Sequence, residues 1–332
     1  MPEIISTTPG LYPLPDWAKE DLKDLKGNQK ADLIGGDEGE KIVAAHEQVR
    51  EELIDAQQSA GLDRITEGQG RWDDMIAHPL AVDEAVETRG IVRYYDNNNF
   101  YRETVVTGAL DANGDVGAEL DAANELVDDG LQAVLPGPYS LADLATDEHY
   151  GDDADFLAAV ADFLAGETEA FPEVETLFLL EPSLVENAPE DGEDERASEA
   201  IDTVASAIDA DVVVYPYWGG LEEKVYAHVM DADIDALGFD LVSDHDTNVY
   251  NAQEYGTPDD VALGIVDGQN TRVESAETLR ERVEWFLDRT QQNSYERIYA
   301  TTNTETFYLP VNRFEEKLQA LAAAATVEEV KA

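Results

Sequence analysis

Eight short apolar runs rich in β-branched residues recur along this chain, each followed by a stretch of helical period. They are EIISTT (3–8), RITEG (64–68), LQAVLPG (131–137), TLFLLEP (176–182), DVVVYPY (211–217), ALGFDLV (236–242), VALGIVDG (261–268) and RIYATTN (297–303). Alternation of this kind argues for a parallel sheet covered by helices. Eight such units predict an α/β fold, a single (β/α)8 TIM barrel over residues 1–330. The stretch SAETLRERVEWFLDRTQQ (275–292) shows the helical half of a unit. It sets Leu279, Val283, Phe286 and Leu287 on one stripe behind a capping Ser275. Residues 90–128 break the alternation, with DNNN (96–99) and DANGD (111–115) as turns between strand-like runs. They predict a β-rich excursion after the second barrel strand. ENAPEDGEDER (186–196) reads as a solvated loop.

Charge restricts the partners. Seventy-four acidic residues against 21 basic ones give a net charge of −53, spread over every segment. At ordinary ionic strength, with a Debye length of about 8 Å, such repulsion strains a compact state; at molar salt the length falls to about 3 Å. The expectation is a halophilic, acidic protein of a salt-filled cytoplasm, with no nucleic-acid partner because nothing here neutralises phosphates. No apolar run is long enough to span a membrane, and MPEIISTTPG lacks the basic start and apolar stretch of a signal peptide, so a cytoplasmic location is expected. Cysteine is absent, which excludes disulfides, a thiolate nucleophile and thiolate-bound zinc.

In a barrel of this type, chemistry sits at the C-terminal strand ends. Those ends carry Thr7, Glu67, Gln69, Glu181, Tyr215, Tyr217, Trp218, Asp240, Asp267 and Thr304. Glu181, held extended before Pro182, is either a general acid or base, a substrate clamp, or a tie for loop amides. Asp240, Asp244, His245 and Asp246 are of the types that bind a hard or borderline metal, yet no His-x-x-x-His pair supports them. Tyr215, Tyr217 and Trp218 either line a pocket for a flat ligand or plug the barrel mouth. No phosphate-binding Gly-x-x-x-x-Gly-Lys loop, Gly-x-Ser-x-Gly elbow or Gly-x-Gly-x-x-Gly turn is present.

Six segments, taken in order, resemble the cobalamin-independent methionine synthase family. They are STTPGLYPLPDW (6–17), ITEGQGRWDDM (65–75), LPGPYSLADLATDEHYGD (135–152), LFLLEPSL (177–184), LGIVDGQNTRVES (263–275) and TNTETFYLPVNRFEEKL (302–318). The resemblance places the family's zinc-binding His-x-Cys pair, glutamate and distal cysteine at Tyr215, Tyr217, Asp240 and Thr304. Its amino-acid clamp falls at Leu11, Gln69 and Leu180, while Glu181 and Asp267 are retained. Zinc is therefore expected to be absent from this chain. The resemblance implies a stand-alone counterpart of the family's N-terminal barrel, beside a separate zinc-bearing methionine synthase homologue. The implied activity is methyl transfer from 5-methyltetrahydrofolate, as its polyglutamate, to homocysteine. Glu181 is then the expected catalytic residue, with Gln69, Tyr215, Tyr217, Trp218, Asp240 and Asp267 as substrate contacts. Two alternatives stay open: a regulatory or structural barrel without ligand, and a distinct enzyme built on Glu181, Asp240 and His245.

Overall fold

All eight runs are strands in the computed structural model, which describes residues 2–22, 39–72, 76–93, 95, 101–291 and 294–326. In chain order the strands are β1 (Glu3–Ser6), β2 (Ile65–Thr66), β3 (Val86–Val92), β4 (Tyr101–Val106), β5 (Leu131–Pro136) and β6 (Ala145–Asp147). They continue with β7 (Thr176–Leu180), β8 (Asp211–Tyr215), β9 (Ala236–Asp240), β10 (Asp260–Val266) and β11 (Arg297–Thr302). The large sheet runs β1-β11-β10-β9-β8-β7-β5-β2 with parallel pairing throughout. Every residue of β7, β9 and β10 is buried, as expected of strands with barrel core on one face and helices on the other.

The sheet curls until its two edge strands meet. Asp63 N and Arg64 N, just before β2, both donate to Ser6 O at 3.1 Å. In return, Ser6 N and Oγ donate to Asp63 Oδ2 at 2.8 and 2.6 Å. Gln132 of β5 adds a tie by donating Nε2 to Thr8 O at 2.8 Å and accepting from Thr7 Oγ1 at 2.6 Å. Aromatic rings fill the interior: Phe178 lies 5.6 Å from Tyr215 and 6.4 Å from Tyr299. Outside, the helix Ala276–Arg289 starts at Ser275, whose Oγ accepts from Thr278 N at 3.2 Å. Leu279, Val283 and Phe286 are buried, with Leu287 packed at their margin.

The excursion departs from expectation. It begins at Val86 with the antiparallel pair β3 and β4, and β6, from beyond the next barrel strand, joins β4 in parallel. Its second half is not β-rich, because Asp115–Asn124 is a helix. Gly114, at φ +74°, turns the chain into that helix, and Val116, Leu120 and Ala123 form its buried stripe. The DNNN turn at 96–99 lies outside the described residues. In 186–196 the loop is shorter than expected, since a helix begins at Glu193. Among the described residues, no helix is long and apolar enough to cross a membrane.

Candidate site at the barrel mouth

The loops after the strands hold the strained backbone of this molecule. Leu11, Gln69 and Trp218 are the non-glycine residues with positive φ among those described, at 57°, 53° and 76°. Each costs conformational energy, and such positions persist where surrounding structure fixes a site. Gln69 is fixed on both sides: its Oε1 accepts from Leu11 N at 2.8 Å, and its N donates to Glu67 Oε2 at 2.8 Å. Burial, then the charge of Glu119, pushes the Glu67 carboxyl up to about 8.

Glu181 is fully buried and serves as an anchor for loop amides. It accepts from Tyr139 N at 3.0 Å, Ser140 N at 2.8 Å and Ser140 Oγ at 2.6 Å. These donors open the short helix Pro138–Asp143. Burial pushes the Glu181 carboxyl up to about 7, with the three donors opposing it. Around it, Ser183 Oγ donates to Asp143 Oδ2 at 2.7 Å and meets Tyr95 Oη at 2.9 Å.

The aromatics divide the two roles that the sequence left open. Tyr215 is a plug: its ring is fully buried and its hydroxyl donates to Thr302 O at 2.7 Å. Space for that ring comes from glycine, since a Cβ on Gly238 would overlap the ring and one on Gly264 its hydroxyl. Gly238→Ala is accordingly expected to destabilise the fold by about 3 kcal/mol, through overpacking and displacement of Tyr215. Chemical denaturation in molar salt would measure it, and a loss below about 1 kcal/mol would refute this account of the seat. Tyr217 is also buried, whereas Trp218 is partly exposed. The Trp218 ring meets Tyr217 at 4.8 Å and Tyr95 at 4.9 Å, edge-on in both cases.

Asp240 is consumed by donors. Oδ1 accepts from Val242 N at 2.9 Å and Ser243 N at 2.8 Å, and Oδ2 from Trp218 N at 3.1 Å. Asn303 Nδ2 lies 3.1 Å from both oxygens. Burial raises the Asp240 carboxyl above the usual range. Asp267 is a turn residue, its Oδ1 accepting from Gln269 N and Asn270 N at 3.0 Å each. Asp244 is no partner of Asp240: it caps the helix His245–Tyr255 through Thr247 N at 3.1 Å. His245 is half exposed, 3.5 Å from the surface carboxylate of Asp246. The metal reading of this segment therefore finds no converging ligands.

Nor do the four positions aligned with a zinc set fit that ion. Tyr215 Oη and Thr304 Oγ1 are spent on carbonyls, the latter on Glu305 O at 3.0 Å, and Asp240 is saturated. Among the described residues, no three His, Asp or Glu side chains are placed to hold a metal. Two mouth residues were not visible in the sequence: Asn303, which steadies Asp240, and Glu305, one residue past Thr304. Both sit in the polar run Thr302–Thr306, where the family-like segment 302–318 marks only Thr304.

Fold and mouth together define the class: a (β/α)8 barrel whose C-terminal strand ends carry buried, raised carboxyls behind an aromatic cluster. The family description "Cobalamin-independent synthase, Catalytic domain" matches residues 4–303. The chain belongs to that family, the cobalamin-independent methionine synthases. A methionine synthase of Saccharolobus islandicus (strain L.S.2.15 / Lassen #1) is 21% identical over 297 residues, covering 87% of this chain and 84% of that one. The 5-methyltetrahydropteroyltriglutamate–homocysteine methyltransferase of Salinibacter ruber is 32% identical over 162 residues, 47% of this chain and 20% of that protein. In fold, the chain is similar to a B12-independent methionine synthase from Shewanella sp. W3-18-1, solved in complex with selenomethionine. The TM-score is 0.78 at 17% identity, over 97% and 96% of the two chains. A putative vitamin-B12-independent methionine synthase from Listeria monocytogenes gives 0.71 at 16% identity, over 98% of each.

Proposed function

We propose that this chain serves methyl transfer from a methylated folate to homocysteine as the barrel without zinc, acting beside a separate zinc-bearing homologue. Family membership supports the reaction class. The observation that carries the accessory role is the engagement of Asp240: its two oxygens already receive backbone amides and the Asn303 amide, so they have no capacity left for a metal. Glu181 then acts as a positioning residue that holds the 138–143 segment at the mouth, and no step is routed through a metal in this chain.

Methyl transfer to homocysteine in molar potassium chloride tests the reading, with the chain alone and then mixed with a zinc-bearing homologue from the same cell. Turnover is expected in the mixture above that of the homologue alone, together with a complex in size-exclusion chromatography. Turnover by this chain alone would sink the accessory role. No complex and no gain in the mixture would favour a structural barrel, a reading the Tyr215 plug also supports.

A further inference from the structure

Lys317, in the helix Val311–Ala325, is 1% exposed. Its Nζ donates to Arg272 O at 2.6 Å and to Glu274 Oε2 at 2.8 Å. An ammonium taken out of water is costly even when paired, and a buried ion pair gains little over an apolar replacement of both partners, so stability alone gives no reason for it. Glu274 faces two ways. Its second oxygen, Oε1, accepts from Asp267 N at 3.0 Å and lies 3.3 Å from Arg282 Nη1. Burial opposes its ionisation, yet Lys317 and the Asp267 amide hold the carboxyl below the usual range. From Asp267 the contacts cross the mouth. Gly268 N donates to Asn303 Oδ1 at 2.8 Å, and Asn303 Nδ2 reaches both oxygens of Asp240. Asp240 Oδ2 in turn takes the amide of Trp218, the residue held at φ 76°. Gly268 has no slack, since a Cβ there would lie 2.7 Å from Thr304 Oγ1 and 2.8 Å from Glu305 O. A shift of this loop is therefore passed on rather than absorbed.

We infer that Lys317, acting through Glu274, is a positioning residue for the barrel mouth: it fixes the loop 267–275, and the contacts from Gly268 through Asn303 to Asp240 hold Trp218 against Tyr95 and Tyr217. The ammonium is spent on Arg272 O and Glu274, so its part is to place other groups. Every link in the chain is a hydrogen bond between a loop after β8, β9, β10 or β11 and its neighbour, so one anchor outside the barrel reaches four strand ends. The inference deepens the methyl-transfer reading and rests on it for its kinetic consequence alone. Under that reading Lys317 governs binding at this mouth, while the chemical step belongs to the zinc-bearing homologue.

The test uses the full chain with Lys317→Met, and with the neutral pair Lys317→Met and Glu274→Gln, which leaves no buried acid unpaired and so protects the fold. Arg297→Met, at the opposite end of the barrel, is the control for a purely structural loss. Trp218 emission is read in molar potassium chloride, below the unfolding range of each variant, as the difference from the same background carrying Trp218→Phe. Both Lys317 variants are expected to move that emission to longer wavelength and to raise its acrylamide quenching about twofold or more, with Arg297→Met unchanged. In the mixture with the zinc-bearing homologue, they are expected to raise KM for 5-methyltetrahydrofolate polyglutamate about threefold or more, with kcat within about twofold of the parent. Parent-like Trp218 emission in both Lys317 variants, the same shift in Arg297→Met, or an unchanged KM in an active mixture would each overturn the assignment. A mixture inactive with the parent protein would remove the methyl-transfer reading, and the Trp218 readout would then decide this inference by itself.

Discussion

Arg297→Met is expected to cost about 3 kcal/mol of folding stability, because one guanidinium holds the base of the barrel together. Arg297 Nε donates to Asp260 Oδ2 at 2.7 Å, and its Nη2 donates to Asp211 Oδ1 at 3.0 Å. Tyr299 Oη adds a bond to Asp211 Oδ2 at 2.8 Å. These residues open β8, β10 and β11, so the three strands are clamped at the end opposite the candidate site. Asp260 is 4% exposed at its side chain, whereas Arg297 is 31% exposed, and that exposure puts the expected cost at the lower end of the range for broken buried pairs. Burial holds the Asp260 carboxyl above its usual value even with Arg297 beside it. Desolvation thus outweighs the attraction, and the ion pair is worth little against an apolar replacement of both partners. The cost of the single variant comes from the acid left behind. Arg297→Met combined with Asp260→Asn should therefore recover a good part of the loss. Urea unfolding of the two variants in molar salt checks this, and additive losses would contradict it.

The barrel strands were legible because their chemistry is repetitive. Val212–Val214 and Leu177–Leu180 are apolar on both faces, and only a strand covered on both sides accounts for that. The helix Asp115–Asn124 was misread because its start, Asn113-Gly114-Asp115, also fits a hairpin turn; its buried apolar side chains, Val116, Leu120 and Ala123, stand among acids and small residues. β6 could not be assigned to β4 from sequence, since that pairing joins segments on either side of β5. At the mouth, position along a strand end identified Glu181, Tyr215 and Asp240, but not what each touches. An aspartate that binds metal and one saturated by amides have the same letter. Glu305 was hidden for a different reason: in a chain with 74 acidic residues, one more carries no signal until its burial is known.

Burial of these acids has a consequence for pH: in molar salt, the protein should lose stability between about pH 5 and pH 8. Glu67 and Glu305 are raised from 4.5 to about 8, and Glu181 from 4.5 to about 7, in each case chiefly by burial. The unfolded chain releases these protons near 4.5, while the folded chain keeps them until 7 or 8. Between those limits the native state binds more protons, so their stabilisation is complete below the unfolded value and lost as pH rises through the folded one. Asp115 acts in a separate window. His78 and Arg71 hold it down to about 2 against burial, so its contribution is present above about 4 and lost only as pH falls toward 2. The surface acids push in the same direction as the buried ones, since they repel more as they ionise, but molar salt screens them within about 3 Å. A slope that survives high salt therefore reports the buried groups. Urea midpoints at about pH 5.5 and 8.5 in molar potassium chloride measure it, and Glu305→Gln should flatten it because glutamine has no proton to lose. A variant with the parent's slope would mean that Glu305 is already ionised in the folded state, and a parent protein with equal midpoints would mean the same of all three acids.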